Sequence, residues 1–188
     1  VSWTVVADPV APVISTSPSD VTVCGGAALT VTVTTPGSGG TGTNTDEYRY
    51  STDNGTSWSP WSTTIPNFTA VSGTNLVESR RNSTGTDCAS NVNQVSWIVV
   101  ADPLAPVIAK NPSDATVCEG TALTISITTP GSGGTGTSTD EYRYSTDNGI
   151  VWSPWSSTIP NFPAVNGTSL IESRRNSKGT GCVSNVNQ

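Results

Sequence analysis

The sequence predicts an all-β fold, on three observations. Thr, Ser, Val, Gly and Pro are abundant while Leu, Lys and Glu are scarce, a balance that disfavours helix and suits short strands joined by turns. Apolar and polar residues alternate over short runs, as Leu29, Val31 and Val33 do with Thr30, Thr32 and Thr34. The chain is also one unit written twice: positions 1–94 return as 95–188 with no gap, and about 72 of 94 residues are identical. VSWTVVADP returns as VSWIVVADP, DEYRYSTDNG as itself and VESRRNS as IESRRNS. This period exceeds the roughly 20 to 50 residues of most solenoid units, so it predicts two small domains in tandem.

Within the first copy, residues 10–14 and 21–24 predict a broken first strand, interrupted by the turn-prone Ser17, Pro18, Ser19 and Asp20. Residues 29–34 follow as a strand with one buried and one wet face. The glycine-rich stretch 36–42 is a loop. The next strand, 47–52, sets Tyr48 and Tyr50 on one face and Glu47 and Arg49 on the other. A tight turn at Asp53, Asn54 and Gly55 leads to residues 58–62, where Pro60 cannot donate to a ladder and limits the segment to an edge or bulge. Residues 65–70, with Phe68 as anchor, 76–81, and 88–100 complete the set, with a turn at 83–87.

Seven or eight short antiparallel strands in about 94 residues describe an immunoglobulin-like β-sandwich. The predicted organisation is two such domains head to tail: residues 1–7 end the last strand of a preceding repeat, 8–101 form the first repeat, and 102–188 form the second, which lacks half of its last strand. The favoured reading is a window of a longer chain; the other is a subunit whose residues 1–7 fill a neighbour's groove by strand addition. Between the domains, Pro103 and Pro106 fix two φ angles, which predicts a short, stiff joint.

Composition bounds the chemistry. Histidine and methionine are absent, and Lys110 and Lys178 are the only lysines, which removes the commonest general base and nitrogen ligand. A net charge of −6 argues against nucleic acid or an anionic membrane as partner, and no apolar run approaches a spanning helix. Asp8 and Asp102 sit at the joints, but nothing clusters enough acidic oxygens for calcium, so no metal or cofactor is predicted. Asp46 with Glu47, or Glu78 beside Arg80, read as solvated ion pairs, and no catalytic residue is assigned. Asn54, Asn67, Asn82 and Asn166 open N-x-[ST] triplets that do not recur in the other copy, as chance predicts.

Residues 51–58 fit S-x-D-x-G-x-x-W, and 145–152 fit it again. The pattern resembles the Asp-box hairpin of sialidases, a structural staple. Its local physics assigns Asp53 and Asp147 to accept backbone N–H bonds, Gly55 and Gly149 to take positive φ, and Trp58 and Trp152 to pack beneath. Trp58-Ser59-Pro60-Trp61-Ser62 is similar to the WSxWS element of thrombospondin repeats and cytokine receptors, in which tryptophans stack with arginines; Arg49, Arg80 and Arg81 are the candidates. Thrombospondin repeats have six cysteines, which this chain lacks. The competing reading is a sugar-binding platform of Tyr48, Tyr50 and Trp61, copied as Tyr142, Tyr144 and Trp155.

The four cysteines fall two to a repeat, Cys24 and Cys88, then Cys118 and Cys182, which suits an oxidising, extracellular setting. In the predicted register Cys24 and Cys88 lie displaced toward opposite ends of one sandwich, too far apart for a disulfide. The predicted bond joins neighbouring repeats, Cys24 to Cys182, leaving Cys88 and Cys118 for repeats before and after. Bonds within each domain and unbonded thiols are the alternatives.

PVI, NPSDATVCEGTALTI, YSTDNG and SRRNSKGTGC, in that order, make the chain similar to the immunoglobulin-like and PKD-like tandem repeats of large Bacteroidota surface proteins, gliding-motility adhesins among them. The resemblance implies an exported, extracellular chain displayed as a filament at the bacterial cell surface. The expected function is a stalk or fibre repeat whose partners are adjacent copies of the repeat or neighbouring chains; a carbohydrate-binding module, with a glycan as ligand, is the alternative.

Overall fold

The computed structural model describes residues 1–85 and 88–188. Among them the secondary structure is entirely β, with no helix, and hence none long and apolar enough to cross a membrane. The chain divides into two compact units, Val1–Val100 and Ala101–Gln188.

In the first unit, β1 (Val13–Ser17), β3 (Ala28–Thr35) and β5 (Asn67–Thr69) form one antiparallel sheet in the order β1-β3-β5. A second sheet has the order β2-β7-β6-β4, from β2 (Thr22–Cys24), β4 (Asn44–Ser51), β6 (Gly73–Ser83) and β7 (Asn93–Val100). Only β2 runs parallel to its neighbour, pairing Thr22 with Ile98 and Cys24 with Val100. Both sheets feed one core: Ile14, Leu29 and Val31 from the first, and Val23, Tyr48, Val77, Trp97 and Val99 from the second. Trp97 is fully buried and donates its indole N–H to the Pro18 carbonyl at 3.0 Å. A core drawn from two sheets is consistent with a β-sandwich.

The second unit repeats part of this plan. β8 (Val107–Asn111), β9 (Ala122–Thr129) and β11 (Phe162–Pro163) form one sheet, and β10 (Ser138–Ser145) pairs with β12 (Leu170–Ser177) in another. β11 has two residues where β5 has three: Phe162 and Pro163 pair with Leu123 and Ala122, and Asn161, the equivalent of Asn67, falls outside the ladder.

Strand limits differ from the sequence expectation where side chains extend or cut a ladder. The first strand starts at Val13 rather than Val10, since Pro12 cannot donate, and Val10 instead bridges Ser38 in the loop. β4 begins at Asn44, three residues early, because Asn44, Thr45 and Asp46 find partners in Ser83, Asn82 and Arg81. The segment 58–62 forms no strand; it bridges β4 at Tyr48 and Ser62, and Ser59 N–H donates to the Tyr50 carbonyl at 2.9 Å. Part of the turn expected at 83–87 lies outside the described residues.

The proline segment near the start of each unit is tied to that unit's sheet. Ser79 Oγ donates to the Pro12 carbonyl at 2.8 Å, and the Asn93 amide joins it at 3.2 Å; Ser173 and Asn187 do the same for Pro106 at 2.7 and 3.1 Å. Pro12 and Pro106 are fully buried.

Candidate functional site: the arginine–tryptophan face

The β4–β6 register sets charges of opposite sign directly across from each other: Arg49 faces Glu78, Glu47 faces Arg80, and Asp46 faces Arg81. Each pair closes as an ion pair, Arg49 to Glu78 at 2.6 Å, Arg80 to Glu47 at 2.8 Å, and Arg81 to Asp46 at 2.8 Å. In the first two the arginine grips one carboxylate oxygen with both Nε and Nη2. The third reaches beyond the sheet. Arg81 Nε donates to the Gly39 carbonyl and Asp46 accepts the Gly37 N–H, each at 3.1 Å, so this pair holds the glycine-rich loop.

The WSPWS segment lies across this charged face. The Arg49 guanidinium sits 4.4 Å from the centre of the Trp58 ring and 4.5 Å from that of Trp61, and Arg80 sits 4.2 Å from Trp61. The resulting order is Trp58, Arg49, Trp61, Arg80. Each contact is worth roughly 0.5 to 2 kcal/mol, toward the upper end where water is excluded. The second unit copies it: Arg143 lies 4.5 Å from both Trp152 and Trp155, and Arg174 lies 4.3 Å from Trp155. Its ion pairs, Arg143 with Glu172, Arg174 with Glu141 and Arg175 with Asp140, repeat at 2.6 to 2.8 Å.

The candidate sugar platform takes a different form from a set of open rings. Tyr48 and Tyr142 are buried, and burial, followed by the nearby Asp46 or Asp140 charge, raises their phenol pKa above the ordinary value. Tyr50 stacks on Phe68 at 4.3 Å between ring centres, and Tyr144 on Phe162 at 4.1 Å. Trp61 and Trp155 are half-buried and carry the arginines just described.

The turn that delivers Trp58 is held by a small polar hub. Ser51 Oγ donates to Asp53 Oδ1 at 2.8 Å and accepts the Gly55 N–H at 2.9 Å, while Asp53 Oδ1 accepts the Ser57 N–H at 2.8 Å. The Ser57 hydroxyl donates to the other Asp53 oxygen. Asn54 and Gly55 both adopt positive φ, 58° and 82°, the pair of left-handed residues this reversal needs. The Ser57 hydroxyl, then its N–H, then the Ser51 hydroxyl lower the Asp53 carboxyl to about 2. In the second copy Val151 replaces Ser57, so the hydroxyl bond is missing; Asp147 is still lowered, chiefly by the Val151 N–H and then by Ser145.

Cys24 and Cys182 are each disulfide-bonded, whereas Cys88 and Cys118 carry thiols. Neither Cys24 with Cys88 nor Cys118 with Cys182 is therefore a bonded pair within one unit. The sequence reading named the tryptophans, the arginines and Asp53, but missed Ser51 as the hub and the Tyr50–Phe68 stack. Serine at the head of both S-x-D-x-G patterns was the available signal for the first.

A family model described as BNR/Asp-box repeat matches residues 49–60 and 143–154, the two hairpins with their flanking strand ends. Among curated proteins, none matches the chain.

Proposed function

We propose that the chain is a structural repeat, part of the stalk or fibre of a bacterial surface adhesin, built from tandem immunoglobulin-like sandwiches and displayed outside the cell. The observation that carries this reading is the cover on the tryptophans. A glycan platform presents aromatic faces to solvent, whereas here arginines already held by carboxylates occupy those faces in both units. Such a face contributes to the stability of a repeat, and it leaves Trp58, Trp61, Trp152 and Trp155 half-buried rather than open to a sugar. The parallel pairing of β2 with β7, which brings the first strand's second half to the other sheet, supports the immunoglobulin-like topology.

The reading also assigns a disulfide between Cys24 and Cys182, with Cys88 and Cys118 reserved for neighbouring repeats. Support comes from chemistry: the two oxidised cysteines are the two that sequence reasoning paired, and stable disulfides belong to oxidising compartments. The Asp-box match supports a hairpin staple rather than a reaction, so the proposal assigns no substrate.

Electron microscopy of the native assembly tests it. An axial repeat of about 40 Å per domain is expected, from strands of roughly ten residues plus a joint. Binding of the two-repeat chain on a glycan array, abolished by Trp61→Ala and Trp155→Ala, would replace this reading with the carbohydrate-binding one.

A further inference from the structure

A series of hydrogen bonds ties the early part of the first unit to β7, and the partners follow one another in the same order along both segments. The Asn93 amide donates to the Pro12 carbonyl at 3.2 Å, the Trp97 indole to that of Pro18 at 3.0 Å and the Ile98 N–H to that of Val21 at 2.8 Å, while Gly25 N–H donates to the Val100 carbonyl at 3.0 Å. Residues 12–25 thus run beside 93–100 in one direction, and the parallel β2–β7 ladder is the far end of that contact. β1 and β2 are the first strands of the unit and β7 is its last, so the chain enters by one segment and leaves by the other.

Tension along the chain draws residues 12–25 backward and β7 forward. Because the two segments are parallel, the load falls along the strands and across the bonds, so the ties must slip together instead of opening one at a time. Cys24 stands at the end of this contact. It is the last residue of β2, fully buried and disulfide-bonded, and it faces Val100, the last residue of β7. A disulfide there gives tension a second way out of the unit, at the level where the chain itself leaves.

We propose that residues 12–25 and β7 form a clamp that resists stretching in shear, and that the Cys24 disulfide is its bypass, so the state of that bond decides whether tension crosses the clamp. With Cys24 joined to Cys182, the load runs along β2 and through the two sulfurs, and β7 is not drawn. A dithiol reductant opens the bypass by exchange: two electrons and two protons pass to the cysteines, the S–S bond breaks, two thiols form, and the reductant closes to its own disulfide. The load then follows the peptide chain and meets the clamp. The bypass rests on the Cys24–Cys182 pairing of the stalk reading, whereas the clamp needs only the first unit.

Single-molecule force spectroscopy of the full chain, with handles placed in pairs at exposed Asp8, Asn54, Asp102 and Gln188, is the test. The clamp is read in Cys182→Ser, which opens the bypass and leaves the first unit's sequence untouched. Pulled between Asp8 and Asp102, the unit should yield in one step of roughly 300 Å, the contour of about 94 residues less the folded span. The force should be about twofold or more that needed between Asn54 and Asp102, because forced unfolding follows the barrier along the pulled direction. That second pair loads the sheet from one end, since Asn54 N–H donates to Thr74 and Thr74 faces Ile98 on β7. The folded unit is the same in both, so unequal strength reports geometry and not stability. Ile98→Pro, which removes an N–H directed at the β2 side, should lower the first force more than the second.

The bypass is read between Asp8 and Gln188. Unreduced wild type should stop within roughly 80 Å, the contour of the about 22 residues outside the disulfide loop, and with dithiothreitol, or in Cys182→Ser, it should continue past about 500 Å. Equal forces in the two geometries overturn the clamp. Full extension before reduction overturns the bypass together with the Cys24–Cys182 pairing. Neither result alters the axial repeat of the native assembly, by which the stalk reading itself stands or falls.

Discussion

Arg49 and Glu78 stand directly opposite each other on β4 and β6, joined at 2.6 Å with only 11% of the Glu78 side chain exposed, while the same guanidinium covers two tryptophan rings. One side chain thus serves as the cation of an ion pair and of two ring contacts, and its removal strips all three.

Arg49→Ala is accordingly expected to destabilise the first unit by about 2 to 3 kcal/mol, because it leaves a largely buried carboxylate without its partner. Arg49→Lys keeps the charge but loses the planar fork and the stacking, for a smaller loss of about 1 kcal/mol or more. Urea unfolding should show the effect in the first unit's transition, and Arg143→Ala should move the second's. Equal stability of wild type and Arg49→Ala would remove the arginine from the scaffold.

Acid should loosen the hairpin through Asp53. A carboxyl lowered to about 2 from an ordinary 3.8 favours the folded state when ionised, so its contribution is complete above about pH 4 and is lost as pH falls through about 2. Asp53→Asn should flatten that part of the acid limb in a melting-temperature series from pH 5 to 2. Ser57→Val gives Asp53 the surroundings of Asp147, and carboxyl titration by NMR should then find its midpoint raised.

Two glycines should respond very differently to alanine. At Gly55 a new Cβ meets the Trp58 ring and Leu76 at 3.5 Å, ordinary contact, so Gly55→Ala costs only its positive φ, about 1 kcal/mol. At Gly40 the Cβ collides with Ser83 Oγ and the Asn44 side chain at a φ of 91°, and Gly40→Ala should cost at least twice as much. Paired thermal melts of the two variants make the comparison.

Cysteine labelling separates the redox states. Iodoacetamide should modify exposed Cys118 in the native, unreduced chain, and Cys24 and Cys182 only after reduction. Non-reducing peptide mapping should recover Cys24 linked to Cys182; such a bond closes about 159 residues and carries a nominal stabilisation of about 4 to 5 kcal/mol. Recovery of Cys24 linked to Cys88 would remove the proposed pairing.

The strands were legible wherever alternation was strict, as along Leu29 to Val33, because a period of two leaves one buried face. Their ends were less so. Asn44 and Asp46 extend β4 through side-chain and ladder partners forty residues away, and no local pattern encodes such distant support. The site was legible as composition, Trp and Arg in one repeat, but the pairing of each arginine with its own carboxylate emerges only from the β4–β6 register. Tyr50 shares a face with Tyr48 in the sequence pattern, and only the return of β5 places Phe68 against its ring.

All six arginines are engaged by carboxylates, and two lysines are the remaining side-chain cations against the other eight acids. Molecules brought side by side therefore present like charge to each other, a repulsion that reaches about 10 Å in 0.1 M salt and shrinks to about 3 Å in 1 M. Lateral clumping is held off in dilute buffer, and bundling should set in as brine is added.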